Sequence, residues 1–218
     1  MRYKLAIFDL DGTILDTLAD IAAAVNYVLE KYGFNRKSEQ EIKAFLGYGG
    51  KNLIACVIDG KVSPERFSAI YRDYIEYYST HCDIKTIPYA GIYQMLVNLK
   101  EAGMKLAVIS NKGDRQVNIL IESHFKGLFD FAGGERKDIK RKPDKEAIVS
   151  VVRELGFEVS DCVYIGDSEV DLLTAENSGM DHIIVSYGFR DYQFLKEAGA
   201  KVILSDAGEI ENYLLEKK

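Results

Sequence analysis

The chain has 218 residues, 47% of them hydrophobic and 28% charged, which allows one large domain or a core with a small insert and can bury a sizeable core. A net charge of -6 and a pI near 5.2 argue against nucleic acid or an anionic membrane as the main partner.

The first predicted element is Leu5-Ala6-Ile7-Phe8, a short apolar run without alternation. Such a run reads as a strand buried on both faces of a parallel sheet. It ends in Asp9 and Asp11, at the strand end where open α/β sheets place their ligands. Residues two apart in an extended segment point the same way, so the carboxylates can converge. Two bare carboxylates repel, and a cation or separate acid and base roles would relieve that. Gly12 suits a sharp turn beside them. A helix N-cap with an acidic first turn is the bland alternative.

Apolar residues at helical spacing, Leu15 to Leu29, predict a helix ending at Gly33. Ser38 and Glu41 form a capping box for a second helix. A glycine cluster at Gly47, Gly49 and Gly50 precedes a third helix near Lys51, and a fourth starts at Ser63-Pro64 and runs to about Thr80. No strand is predicted between Ile14 and Cys82. A βαβ crossover needs about a dozen residues, so residues 16–82 read as an inserted helical domain, with 1–15 and 83–218 as the core.

From Tyr89 onward strands and helices alternate. Helices are expected at Ile92–Ala102, Asp114–Ser123 and Lys145–Leu155, from Gly166-Asp167-Ser168 to about Asn177, and from about Gly208. Strands are expected at Lys105–Ile109, Phe129–Ala132, Cys162–Ile165, Ile183–Val185 and Lys201–Leu204. The right-handed crossover rule gives an α/β fold with a doubly wound, Rossmann-like parallel sheet.

This order sends Asp9, Asp11, Ser110, Asn111, Lys142, Asp167 and Asp171 to one sheet edge. The set holds carboxylates for a hard cation, and a hydroxyl and an ammonium for an anion, which suits phosphoryl transfer. Each member also has a plain reading. Ser110-Asn111 can cap the next helix. Lys142 sits in a basic run with Arg136, Lys137, Lys140, Arg141 and Lys145 that reads as solvated surface. Asp167 can be an N-cap, although that leaves Asp171, one turn on, without a use. His81, His124 and His182 are scattered and read as structural or surface residues.

DLDGT, a strand ending in SN, then KP, then GDSEVD together resemble the four signature motifs of the haloacid dehalogenase superfamily. The resemblance covers nearly the whole chain, and the helical insert is similar to that family's all-helical cap. Gly47-Tyr48-Gly49-Gly50 and Pro88-Tyr89-Ala90-Gly91 resemble the phosphoglycolate phosphatase-like branch.

The resemblance implies a Mg²⁺-dependent phosphatase for a small phosphorylated metabolite, working through an aspartyl-phosphate. Asp9 is then the nucleophile and Asp11 the general acid and base. Thr13 orients the loop, Ser110 holds a phosphoryl oxygen and Lys142 neutralises charge. The implied metal residues are Asp9, Asp11 through its backbone carbonyl, Asp167 and Asp171, the last directly or through water. Thr13 and Asn111 join the substrate-binding set, and Gly47, Tyr48, Gly49, Lys51 and Asn52 are expected to face the leaving group. Dehalogenating members lack an acid at the position of Asp11, because an ester oxygen needs a proton to leave and a halide does not.

A phosphosugar mutase resembling β-phosphoglucomutase is the alternative enzyme. A receiver-like phospho-accepting signalling module is the alternative outside catalysis, although the helical insert argues against it. Three scattered cysteines, Cys56, Cys82 and Cys162, form no metal or disulfide pattern, so a cytoplasmic location is expected. Met1 leads directly into the first strand, so no signal peptide and no membrane span are expected. A monomer or weak homodimer is expected.

Overall fold

The structure, a computed structural model, describes residues 2–136 and 139–216. In chain order, β1 (Leu5–Phe8) and β2 (Leu15–Asp16) lead into α1 (Leu18–Lys31), α2 (Glu39–Lys43), α3 (Gly50–Val57) and α4 (Pro64–His81). The chain returns through β3 (Ile87–Pro88), α5 (Ile92–Glu101), β4 (Lys105–Gly113), α6 (Asp114–His124) and β5 (Phe131–Glu135). It continues with α7 (Glu146–Glu154), β6 (Cys162–Gly166), α8 (Glu169–Ser178), β7 (Asp181–Val185), α9 (Tyr192–Glu197), β8 (Ile203–Leu204) and α10 (Ala207–Leu215).

The main sheet has the order β5-β4-β1-β6-β7-β8, and every pair in it is parallel. All four side chains of β1 are buried. Ala6 and Phe8 pack in one layer with Leu96 of α5, Leu120 of α6 and Ile210 of α10. Leu5 and Ile7 pack in the other with Ile148 and Val151 of α7 and Ala175 of α8. Strand alternation sends neighbours to opposite faces, so a strand covered on both sides must be apolar throughout. Burial of Phe8 alone contributes roughly 2–3 kcal/mol.

The direction of winding reverses at β1, which opens a crevice at the carboxyl ends of β4, β1 and β6. Phe8 is level with both Val108 and Ile165. Asp9, Ser110 and Asp167 therefore leave three adjacent strands within one residue of the same height.

The long first crossover consists of α1 to α4. The Ser38–Glu41 capping box is present, and Ser63 caps α4 ahead of Pro64. Tyr27 of α1 stacks on Tyr77 of α4 at 4.0 Å. The exit and return segments pair antiparallel, Leu15 with Pro88 and Asp16 with Ile87. Asp20, buried in α1, accepts hydrogen bonds from the backbone N–H groups of Ile84, Lys85 and Thr86 and from the Thr86 hydroxyl. That carboxylate ties the start of the helical segment to its end.

Several elements differ from the sequence expectation. A strand does occur between Ile14 and Cys82, but β2 is only two residues long and carries no pattern of its own. The first helix begins at Leu18 because residues 10–15 form a tight turn, with Thr13, Ile14 and Leu15 all donating to the Leu10 carbonyl. β4 runs on to Gly113, past the apolar stretch, and meets Glu135 of β5 after a register shift. β5 starts at Phe131 because Phe129 packs edge-on against Phe8 and Phe125. α9 was not expected; it is six residues long and capped by Asp191. The last strand is shorter than expected, Ile203–Leu204. Lys137, read as part of a solvated basic run, lies outside the described residues. No described helix is long and apolar enough to cross a membrane.

Candidate active site

Asp9 continues β1 and is 6% exposed. Its backbone N–H donates to the Ile165 carbonyl at 2.8 Å, which fixes it between β1 and β6. The Lys142 ammonium lies 2.8 Å from Asp9 Oδ1 and 2.8 Å from Asp171 Oδ1. It donates a hydrogen bond to Asp171 and to the Tyr164 hydroxyl. Asp9 Oδ1 is thus held in a buried ion pair with Lys142.

Lys142 is 2% exposed, which corrects the reading of its basic run as uniformly solvated. Asn111 explains why. Its Nδ2 donates to the Lys142 carbonyl, and its Oδ1 accepts from the Lys142 N–H. The same Nδ2 donates to the Gly47 carbonyl at 2.9 Å. Asn111 therefore seats the lysine loop and the α2–α3 connection, and these contacts occupy its amide.

Asp167 is 1% exposed. Its Oδ2 accepts from the Phe189 N–H at 2.6 Å, and its Oδ1 accepts from the Thr13 hydroxyl at 3.5 Å. Gly12 has φ +85°, and a Cβ there would overlap this carboxylate. Gly12 thus serves both the turn and the close approach of Asp167.

The N-cap of α8 is Ser168, not Asp167, and Asp171 is its capping-box partner. Asp171 Oδ2 accepts from the N–H groups of Asp167 and Ser168 and from the Ser168 hydroxyl. Its Oδ1 accepts from Lys142 and Tyr164. Asp9, Asp167 and Asp171 can each bring one oxygen within 4.8 Å of the others. With five donors already on it, Asp171 acts by holding Lys142 and the Asp167 loop.

Burial pushes the Asp9 carboxyl up to about 6, with Lys142 opposing the rise and Asp171 and Asp11 adding to it. Burial raises Asp167 well above the usual carboxylate range too, reinforced by Asp171 and Asp9. Buried carboxylates that repel in a dry site form a hard-oxygen set that fits a divalent cation.

Asp11 lies outside that trio. Its Oδ1 accepts from the Thr17 hydroxyl at 2.6 Å and from Lys112 Nζ at 2.7 Å. It lines a cavity of about 60 Å³ with Asp9, Ser110, Lys112, Tyr74 and Tyr78. Gly47 and Gly49 line it. Tyr48, Lys51 and Asn52 do not. Burial beside Glu169 raises the Tyr48 phenol. Lys51 is exposed, and Asn52 turns to Cys56 within α3. The buried face of α3 carries Leu53, Ile54 and Val57, which turns Lys51 to solvent.

Lys112 and Tyr78 were not singled out from the sequence. Ser110 and Lys112 are two apart in a strand, so strand periodicity was the available signal for the lysine. Nothing local marks Tyr78, which reaches the site from α4.

The profile of the haloacid dehalogenase-like hydrolases matches residues 6–185. The phosphoglycolate phosphatase of Psychrobacter arcticus is 30% identical over 226 aligned positions, spanning 99% of this chain and 97% of that one. That of Rhodobacter capsulatus is 34% identical over 191 positions, spanning 84% of each. A solved structure from Lactobacillus delbrueckii subsp. bulgaricus, provisionally named a phosphoglycolate phosphatase, is 40% identical over the whole of both chains, with a TM-score of 0.92. CbbY from Rhodobacter sphaeroides, in complex with phosphate, shares the fold at 24% identity, over 95% of this chain and 96% of that one, with a TM-score of 0.79.

The chain belongs to the haloacid dehalogenase-like hydrolases. Within that family it is a phosphoric monoester hydrolase of the phosphoglycolate phosphatase-like kind.

Proposed function

We propose that this chain is a Mg²⁺-dependent phosphatase of small carboxylate or sugar phosphates, phosphoglycolate foremost, working through an aspartyl-phosphate on Asp9. The observation that carries the reading is the buried Asp9, set beside Lys142 and Asp167 and opening with Asp11 onto a cavity of about 60 Å³.

Asp9 attacks phosphorus, and the ester oxygen leaves with a proton from Asp11. Water then attacks the aspartyl-phosphate, Asp11 takes up its proton, and Asp9 and free phosphate are regenerated. Ser110 donates to a phosphoryl oxygen. Lys142 holds Asp9 in line and offsets its charge. Asp9, Asp167 and the Asp11 carbonyl would hold Mg²⁺, which supplies positive charge against the phosphoryl oxygens. Thr17 and Lys112 orient Asp11 toward the leaving group.

In this reading residues 16–82 are a cap over a core of 1–15 and 83–218, and the cap excludes water during attack. The chain works in the cytoplasm as a monomer or weak dimer, in keeping with its free cysteines.

The test is phosphate release from phosphoglycolate, sugar phosphates, nucleotides and pyrophosphate, with Mg²⁺ or with chelator. Release should depend on metal and concentrate on the small esters. Sugar phosphate isomerisation without phosphate accumulation would favour the mutase instead. Turnover of none of these would sink the reading.

A further inference from the structure

The cavity holds two groups, one from the sheet edge and one from α4, whose hydrogen-bonding capacity the two chemical steps do not exhaust. Lys112, 8% exposed, donates to Asp11 through one N–H, and the Tyr78 ring lies 4.8 Å from its Nζ. Tyr78 is 2% exposed and lines the same cavity, yet its hydroxyl has no hydrogen-bond partner among the described residues. A buried phenol without a partner is destabilising. Such a hydroxyl is a spare donor at the cavity wall. Among the described residues lining the cavity, Lys112 is the one cation, and Asp9, Asp11 and Glu135 are the acidic ones.

We infer that Lys112 and the Tyr78 hydroxyl form a carboxylate-binding subsite that selects esters bearing a carboxylate on the carbon that carries the ester oxygen. This rests on the phosphatase reading. Asp11 must reach the ester oxygen at about 3 Å to protonate it. Lys112 Nζ, 2.7 Å from Asp11 Oδ1, is then within about 6 Å of that oxygen. A carboxylate one carbon away carries its own oxygens roughly 3 Å from the ester oxygen. The remaining gap is one charge-assisted hydrogen bond.

The charge also fits. Once Asp11 carries the proton it gives to the leaving group, the Lys112 ammonium is left to match one substrate carboxylate, and the phenol donates to the second oxygen. A phosphate dianion at the same place would leave charge uncompensated beside Asp11 and Glu135. Lys112 comes from β4 and Tyr78 from α4, so the subsite is completed only where the helical segment meets the sheet edge.

The experiment compares kcat/KM for phosphoglycolate with that for ethyl phosphate, which has a methyl in place of the carboxylate. Wild type, Lys112→Met and Tyr78→Phe are assayed with Mg²⁺. Wild type is expected to favour phosphoglycolate by about 100-fold or more, as a charged hydrogen-bonded pair supplies. The ratio should fall about 50-fold in Lys112→Met and about 5-fold in Tyr78→Phe. Tyr78→Phe should keep or raise the thermal midpoint, because it removes a buried hydroxyl without a partner. General damage lowers both constants together and leaves the ratio intact, so an unchanged ratio in both variants overturns the subsite. If Lys112→Met does not fold, the Tyr78→Phe ratio decides. Release from both esters without preference overturns the subsite and leaves the phosphatase reading standing. Release from neither overturns both.

Discussion

Asp9→Asn is expected to lower phosphate release by roughly 10⁴-fold or more while the fold is retained, because the amide keeps the shape of the carboxylate without its nucleophilicity. The same variant carries a stability signature. Burial raises the Asp9 carboxyl to about 6, from an ordinary value of 3.8. Below pH 3.8 both folded and unfolded chains hold the proton, and the raised value costs nothing. Between pH 3.8 and 6 the unfolded chain releases the proton first, so the wild type loses stability as pH rises. Above 6 the loss is complete, at about 3 kcal/mol. In metal-free buffer Asp9→Asn should therefore be more stable than wild type at pH 8, and the two should converge near pH 4. Urea unfolding at both pH values measures this. A wild type more stable than the variant at pH 8 would contradict the account of a strained, desolvated carboxylate.

Lys142→Met is expected to be the most destabilising single change at the site. It deletes the ammonium shared by Asp9 and Asp171 and leaves the Tyr164 hydroxyl without its bond from the lysine. Breaking a buried ion pair from one side costs about 3–5 kcal/mol. Asp9 would rise further, since Lys142 is the charge that holds it down. Phosphate release should become undetectable near neutral pH. Lys142→Arg should not rescue it, because a planar fork cannot occupy a point-charge site that is 2% exposed. Urea unfolding and phosphate release check both variants, and a Lys142→Met protein with wild-type stability would argue against a structural role for this ammonium.

The strand-end chemistry was legible because two local rules coincide there. A run apolar at every position, Leu5 to Phe8, has to be covered on both faces, and the carboxylates directly after it have to leave at the sheet edge. Asp167 and Ser110 followed from the same logic. Asp171 was half legible: helical spacing put it on the face of Asp167, but its partner is Ser168, and its second oxygen belongs to Lys142. Lys142 was hidden in a basic run, since burial of one lysine among six basic residues depends on Asn111, 31 positions away. The expectations for the α2–α3 connection were the least legible. Lys51 and Asn52 adjoin the glycines in sequence, but α3 begins at Gly50 and turns Lys51 outward. Tyr78 and Lys112 meet only through packing of α4 over β4, which no window of sequence records.

The central claim is that Asp9 carries the phosphoryl group between substrate and water. The most direct measurement is to quench the enzyme during turnover of phosphoglycolate with Mg²⁺, reduce it with borohydride and map the peptides by mass. An acyl-phosphate is reduced to an alcohol, whereas a free carboxylate is not. The account predicts conversion of Asp9 to homoserine, dependent on substrate and absent in Asp9→Asn. Reduction at Asp11 or Asp167 instead, or an unmodified Asp9 while phosphate is released at full rate, would contradict it.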